Sequence, residues 1–388
     1  MNEATLDYVR QHADDDVRKL ALQGVKDTDV DLQMALQQIA GRQTARRKLP
    51  SWAAVEGIIY PPHLNMEQCS SEQTARYKAK IVNGKSVNGK FADLTGGFGV
   101  DFYWMSQSFL DCYYIEQNEK LCAISSENFR LLGLACKVCC CDTTTYLNTM
   151  PHVDLIYMDP ARRNVHGGRT YDIEDCTPNV IELLPLLMEK ANHVMLKLSP
   201  MLDWQKAVKD LGHVHEVHIV SVDNECKELL LVIKQQPCMT LKIVCVNNDD
   251  IFEFSPSIHP TVNHESLTMN YLYEPNASIM KAGCFKDIEE VFDVCQLSNN
   301  SHLFVSEKEI KKFPGRLFHI ETVTSMNKQE LKAALQGIER ANIAVRNFPM
   351  SAEALRKKLR LKDGGEVFIF ATTLSDNSHK LFICRKIG

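Results

Sequence analysis

Between Phe91 and Lys234, short runs rich in β-branched and aromatic residues alternate with longer segments whose apolar residues recur every three or four positions. Parallel strands buried on both faces read as near-continuous apolar runs, and each needs a crossover, usually a helix, to reach the next. The alternation therefore predicts an α/β fold with a parallel sheet between helices. Strands are expected at Phe91–Leu94, Cys112–Ile115, Ala135–Cys140, Val153–Met158 and His193–Leu198, with helices such as Glu119–Leu132 and Pro178–Ala191 between them. The series closes with Val214–Val222 and Leu229–Lys234, joined by Asp223–Lys227 as an antiparallel hairpin. Five βα units and a terminal hairpin fit a seven-stranded Rossmann-like sheet better than the six-stranded dinucleotide-binding one.

The flanks differ in character. From Leu6 to about Gly41 the spacing of Leu20, Ala21, Val25, Leu32, Met34, Ala35 and Ile39 is helical, and Pro50 stops the pattern after Arg42, Arg46, Arg47 and Lys48. A further helix is expected from Ser71 or Glu72 to Val82. Beyond Gln235, Met239–Val246 and Ile251–Phe254 read as a hairpin, followed by a helix at Ile279–Ala282 and a strand at Leu303–Val305. The remainder reads as strand Leu317–Val323, helix Lys328–Ile338, strand Ile343–Val345, helix Ala352–Leu359, and strands Glu366–Thr373 and Lys380–Arg385, a small α+β domain.

A chain of 388 residues exceeds what one core usually holds, so several domains are expected. No apolar run reaches the roughly 18 residues of a membrane span, and the polar, acidic start lacks signal-peptide form, which favours the cytoplasm. The 14 cysteines are then free thiols. Cys136 and Cys139 make one CxxC without a second pair at zinc spacing, so buried strand cysteines, not a metal site, are expected. A net charge of −5 excludes a chain that binds nucleic acid over its whole surface and leaves local basic patches.

Chemistry concentrates in Phe91-Ala92-Asp93-Leu94-Thr95-Gly96-Gly97-Phe98-Gly99-Val100-Asp101, a strand running through a glycine turn into a helix. Glycine lets backbone turn sharply and approach a ligand. The third glycine of a dinucleotide fingerprint is replaced by Phe102, and Asp93 would repel a pyrophosphate at the helix start. A phosphate-free cation suits the site better, and S-adenosylmethionine, with its sulfonium and ammonium, is such a ligand. A plain tight strand–helix turn is the alternative. Glu116, nineteen residues past Gly97 at the next strand end, can accept both ribose hydroxyls. Asp142, after the third strand, can reach the adenine amino group or simply cap the helix that follows.

Asp159-Pro160-Ala161-Arg162-Arg163 follows the fourth strand, at the sheet edge where ligands of such folds bind. There Asp159 can orient a nucleobase amine toward a methyl donor, since in-line positioning supplies most of the acceleration of a displacement. Arg162, Arg163 and Arg169 make a basic loop that could clamp phosphate, or form ion pairs with Asp172 and Glu174. Lys197, near the end of an interior strand, needs a partner, for which Asp159 is the candidate.

With these residues in place the chain resembles the class I S-adenosylmethionine-dependent methyltransferases, and in particular the bacterial THUMP-like-domain group. Further marks are Ser70 to Tyr77, Gly41-Arg42-Gln43 with Lys48-Leu49-Pro50-Ser51-Trp52, and Tyr273-Glu274-Pro275-Asn276. The core is more distantly similar to RNA guanine-N2 methyltransferases. The resemblance implies an N-terminal helical region (1–62), a seven-stranded methyltransferase domain (63–235), a ferredoxin-like domain (236–316) and a THUMP-like RNA-binding domain (317–388). It implies a cofactor set of Thr74, Asp93, Thr95, Gly96, Gly97, Gly99, Asp101, Glu116, Gln117, Asp142 and Asp159, with Asp159, Arg162 and Lys197 at the chemistry. Arg162, Arg163, Arg169, Arg356, Lys357, Lys358 and Arg360 would meet RNA; a solvated helix face explains the last four equally well. Amino-directed relatives carry a second proline and an aromatic where this chain has Ala161 and Arg162. An RNA-binding or assembly protein that keeps the cofactor fold without reacting is the competing expectation.

Overall fold

The structure, a computed structural model, describes residues 1–82, 89–162, 173–256 and 269–387, with Arg162 as backbone only. At the N-terminus, α1 (Glu3–Gln11), α2 (Val17–Gln23) and α3 (Leu32–Lys48) begin at Asn2, Asp16 and Asp31, whose side chains accept backbone N–H bonds of the first turn. The helical pattern is thus interrupted where a continuous stretch was expected. Gly24, at φ +67°, ends α2, and Asp31 starts a new helix. Val9, Leu20, Ala35 and Ile39 form the shared core, whereas Met34 points to solvent. α3 ends at Lys48 with its cap at Leu49, directly before Pro50 as expected, and Pro50 then opens the short helix Pro50–Ala53, at the position where a missing N–H costs least.

The helix α4 (Glu72–Val82) leads to a parallel series: β1 (Lys90–Asp93), α5 (Val100–Ser106), β2 (Asp111–Glu116), α6 (Glu119–Leu131), β3 (Lys137–Cys140), α7 (Thr143–Thr149), β4 (Val153–Met158), α8 (Val180–Lys190), β5 (Ala191–Leu198) and α9 (Trp204–Leu211). Then come β6 (Val214–Val222), β7 (Glu225–Lys234), β8 (Lys242–Asn247) and β9 (Asp250–Phe254). The strand order is β3-β2-β1-β4-β5-β7-β6-β8-β9. Its first seven members are the expected seven-stranded methyltransferase sheet, and β8 and β9 lengthen it. The expected β6/β7 connector shrinks to a tight turn at Asp223 and Asn224, both at positive φ, a conformation Asx side chains tolerate. The expected hairpin forms between β8 and β9, Ile243 opposite Phe254, and β8 also pairs parallel to β6, Lys242 opposite Glu216.

The chain folds as two compact units, Met1–His215 with Leu230–Met239, and Glu216–Leu229 with Thr240–Gly388. The second holds a seven-stranded sheet. Its elements are β10 (Tyr271–Pro275), α10 (Ala277–Ala282), α11 (Phe285–Phe292), β11 (Cys295–Gln296), β12 (Phe304–Ser306), β13 (Gly315–Ser325), α12 (Lys328–Ala334), β14 (Asn342–Arg346), α13 (Ala352–Leu359), β15 (Val367–Thr373) and β16 (His379–Ile387). The order is β11-β12-β10-β13-β16-β15-β14, antiparallel except for β14 beside β15. Leu272, Phe318, Phe370 and Phe382 fill one core cluster, and Leu355, Ile369, Leu381 and Ile383 another. The Tyr-Glu-Pro-Asn motif now has a local reason. Glu274, 5% exposed, accepts from Arg316 Nε at 2.7 Å and Arg346 Nη2 at 2.9 Å, while Asn276 caps α10. No helix among the described residues is long and apolar enough to cross a membrane.

Candidate cofactor and catalytic site

The register of the parallel strands brings their carboxyl ends level. Asp93 lies opposite both Tyr114 and Tyr157, Glu116 opposite Cys140, and Met158 opposite Leu196. The expected residues therefore follow one another across four neighbouring tips. Hydrogen bonds then tie the tips together. Gly97 N–H donates to Glu116 Oε2 at 2.8 Å, Asp159 N–H to Thr95 Oγ1 at 2.6 Å, and Thr143 Oγ1 to the Leu94 carbonyl at 2.6 Å.

The glycines serve two different ends. A Cβ at Gly96 would fall 2.2 Å from the Tyr114 ring, and one at Gly99 (φ +80°) 2.5 Å from Phe129, so both are demanded by aromatic packing under the turn. Gly97, at φ +57°, would place a Cβ no nearer than 3.8 Å to the Thr95 carbonyl. Among the described residues, chain neighbours aside, no other atom lies within 4 Å of that position. Tyr114 OH and Ser125 Oγ both donate to the Gly97 carbonyl, at 2.5 and 3.2 Å, and hold the turn from below.

Four carboxylates meet here in unlike surroundings. Asp93 is 1% exposed and accepts from Thr95 N–H at 2.9 Å. Burial raises its carboxyl well above the usual range; the Thr95 bond opposes this, and Asp101, Asp159 and Glu116 push it further up. Asp101 is buried too, and desolvation alone would raise it. Lys78 at 3.1 Å, then Lys197, then the hydroxyls of Tyr157 and Ser70, each at 2.7 Å, hold it below the usual value. Asp159 Oδ2 accepts from Lys197 Nζ, the partnership expected from the sequence. Glu116 accepts from Gly97 and from Asn118 N–H at 2.7 Å.

The remaining expected residues sit as follows. Asp142 caps α7, accepting from Thr145 N–H at 3.0 Å, so its helix-capping alternative is realised with one oxygen. Thr74 is buried in the first turn of α4, donating to the Ser71 carbonyl at 3.2 Å. Gln117 is exposed beside Glu116. Arg163 and Arg169 lie outside the described residues, as do Asp172 and the Arg162 side chain; the Arg162 backbone pairs with Cys176. On α13, Arg356 pairs with Asp363 at 2.5 Å and Lys357 with Glu353 at 2.8 Å, whereas Lys358 and Arg360 are exposed at its end. The cysteines depart from expectation. β3 is an edge strand, so Cys139 is half-buried and Cys140 exposed, not buried.

Sequence reasoning missed Lys78, which is 0% exposed. The signal was present: Ala75, Lys78 and Val82 occupy i, i+3 and i+7 of one helix face, so the lysine had to point inward. It also missed why the upstream motifs exist. Ser70 binds Asp101, Glu72 accepts from Ser51 N–H and Oγ at 2.9 and 2.6 Å, and Lys48 donates to the Met66 and Glu67 carbonyls at 2.9 and 2.6 Å. Trp52, fully buried, packs edge-on to Phe98 in the glycine turn, centroids 5.1 Å apart.

Comparison with known proteins agrees with this geometry. Residues 315–386 match the family described as THUMP domain-like, and residues 271–314 that of a ferredoxin-like domain. A crystal structure of a candidate methyltransferase from Porphyromonas gingivalis W83 superposes with a TM-score of 0.86 at 31% identity, covering 99% of this chain and 98% of that one. Uncharacterized S-adenosylmethionine-dependent methyltransferases of Mycobacterium tuberculosis, strains CDC 1551 and H37Rv, are 19% identical over 331 residues, 82% of this chain and 87% of theirs. With its sheet order, glycine turn and C-terminal domains, the chain belongs to the THUMP-like-domain family of class I S-adenosylmethionine-dependent methyltransferases.

Proposed function

We propose that this methyltransferase modifies a base of structured RNA, with an exocyclic amine as the favoured target. The observation that carries the reading is Asp159: its backbone is fastened to Thr95 of the glycine turn, and its carboxylate stands beside that turn in the grip of Lys197. A hydrogen-bond acceptor next to the cofactor turn is what a target amine needs to be aimed.

The residues present suit the cofactor. Among the described residues Gly97 is open where a nucleoside would lie, and Asp93, Glu116 and Asp142 offer acceptors that suit a cationic ligand. When bound, S-adenosylmethionine supplies an electrophilic methyl on a sulfonium. In this reading Glu116 takes the ribose hydroxyls and Asp142 the adenine amine. Thr74, Thr95, Gly96, Gly99, Asp101 and Gln117 shape and support the turn. Asp159 accepts a hydrogen bond from the target amine, turns its lone pair toward the donor and is the nearest acceptor for the proton the amine then loses. Lys197 orients Asp159, and Arg162 covers the target base. Residues 63–235 perform the chemistry; Arg163, Arg169 and the 317–388 domain, through Arg356, Lys357, Lys358 and Arg360, hold the RNA. THUMP domains bind RNA, which supports that division.

Incubating the protein and tritiated cofactor with RNA from a deletion strain tests the reading. Label in a single digested nucleoside, lost in Asp159→Asn, is the expected result. Label in protein or small molecules alone refutes it. A second reading, an RNA-binding or assembly protein that retains cofactor without transfer, is favoured by Ala161 and Arg162 after Asp159-Pro160. Cofactor binding with no label anywhere would select it.

A further inference from the structure

Of the four carboxylates around the glycine turn, three have their negative charge answered. Asp101 faces Lys78 at 3.1 Å, Asp159 faces Lys197, and Glu116 accepts two backbone N–H groups and is partly exposed. Asp93 is the fourth. Its hydrogen-bond donors among the described residues are the N–H and hydroxyl of Thr95, at 2.9 and 3.4 Å, both on the same oxygen.

Groups from three neighbouring elements surround it. Tyr114 and Glu116 come from β2, Tyr157 and Asp159 from β4, and Asp101 from α5. The nearby cations, Lys78 of α4 and Lys197 of β5, are each engaged with another carboxylate. A negative charge on Asp93 is therefore opposed by loss of water, by three like charges and, among the described residues, by the lack of a cation of its own. Burial accordingly lifts this carboxyl well above the usual range.

We propose that Asp93 keeps its proton until the cofactor binds and releases it to solvent when S-adenosylmethionine arrives, so that the turn tells the sulfonium cofactor from its thioether product by one proton. The inference rests on the reading of this turn as the cofactor site. The two ligands share ammonium, carboxylate, ribose and adenine. They differ by one positive charge, and one positive charge is what Asp93 lacks. Binding breaks the Asp93 O–H bond and hands the proton to the buffer; no oxidant or reductant takes part. Once the methyl has gone, the charge has gone with it. The carboxyl then recovers a proton, and the product is held less tightly than the cofactor.

The test is calorimetric, with the full chain and each ligand in buffers of unlike ionisation enthalpy. Wild type should release up to about one more proton with S-adenosylmethionine than with S-adenosylhomocysteine at pH values above the ordinary carboxylate range of about 4 and below the raised Asp93 value. Over that range the cofactor's Kd should tighten up to about tenfold per pH unit, while the product's stays nearly flat. Asp93→Asn should abolish the difference. Equal proton counts for the two ligands in wild type overturn the proposal without any variant, as does a difference that survives in Asp93→Asn. Failure of wild type to bind either ligand overturns the cofactor reading, and the proton inference with it.

Discussion

Lys197 Nζ is hydrogen-bonded to Asp159 Oδ2 across the neighbouring strands β5 and β4, and the lysine side chain is 13% exposed against 38% for the aspartate. The cation thus sits behind the carboxylate and leaves its outer side to solvent. In the proposed reaction this fixes the angle at which Asp159 meets a target amine. Lys197→Met should lower the single-turnover rate of methyl transfer about 100-fold, because small misplacements of a positioned group cost that much. Cofactor affinity should change no more than about twofold, and Lys197→Arg should recover part of the rate. A loss of cofactor binding equal to the loss of rate would show that Lys197 holds the turn and not the target.

Lys78 and Asp101 form a buried pair under the same turn. Removing one partner leaves the other charge uncompensated, so Lys78→Met should destabilise the protein by about 3–5 kcal/mol. The double variant with Asp101→Asn should regain part of this. The folded Asp101 carboxyl lies below its unfolded value. Its contribution is therefore present above the unfolded value of about 3.9 and lost as pH falls below it. Urea titrations from about pH 7 to 3 should show a steeper acid loss in wild type than in Lys78→Met.

For Asp93 the sign is opposite. Its folded carboxyl is raised, so the native state binds the proton more tightly than the unfolded chain. Stability should fall as pH rises from about 3.9 toward the raised value, by up to about 1.4 kcal/mol per pH unit. In cofactor-free protein, Asp93→Asn should melt above wild type at neutral pH and lose that advantage near pH ~4. Parallel melting curves across that range would contradict the assignment.

The three glycines of the turn should separate in a stability series. Gly97→Ala meets no atom within 3.8 Å, so its cost is that of a left-handed alanine, about 1–2 kcal/mol. Gly96→Ala and Gly99→Ala drive a methyl into Tyr114 and Phe129 and should cost clearly more. Equal midpoints for all three in urea would mean that the aromatic floor yields.

Lys357, Lys358 and Arg360 cluster at the end of α13, and Lys357 already pairs with Glu353. If they meet the RNA backbone, replacing all three by Gln should flatten the dependence of log K on log[salt] by up to about 0.7–0.9 for each phosphate no longer neutralised. Fluorescence anisotropy with a structured RNA at several salt concentrations reads that slope. An unchanged slope returns the cluster to a solvated helix face.

Much of the first sheet was legible because its signals are local. Val153–Met158 and Val214–Val222 were read with their observed bounds, since an apolar run flanked by polar turn residues delimits a strand without reference to its partners. Asp93, Glu116 and Asp159 could be placed at strand ends for the same reason. The readings that failed depended on neighbours. Cys140 is exposed because β3 has a partner on one side only; and although the Lys242–Asn247 hairpin was read as such, its parallel seat beside β6 depends on that strand's free edge. The strand Tyr271–Pro275 and the helix Phe285–Phe292 were missed, although Phe285, Ile288 and Phe292 at i, i+3 and i+7 gave the helix a local signal.

By itself, then, the amino-acid order determined the succession of strands and helices, the glycine turn and the acidic residues at its lips. Backbone propensity, side-chain period and capping act within a few residues, and such interactions can be read along the chain. The Lys197–Asp159 pair could be foreseen from two adjacent strand ends, but tertiary structure alone decided that Lys78 answers Asp101 and that no cation answers Asp93 among the described residues. It also gathered Arg316 and Arg346 onto Glu274. Those pairings join residues 23 to 72 positions apart. Their energies depend on burial and distance in space, which no local pattern encodes.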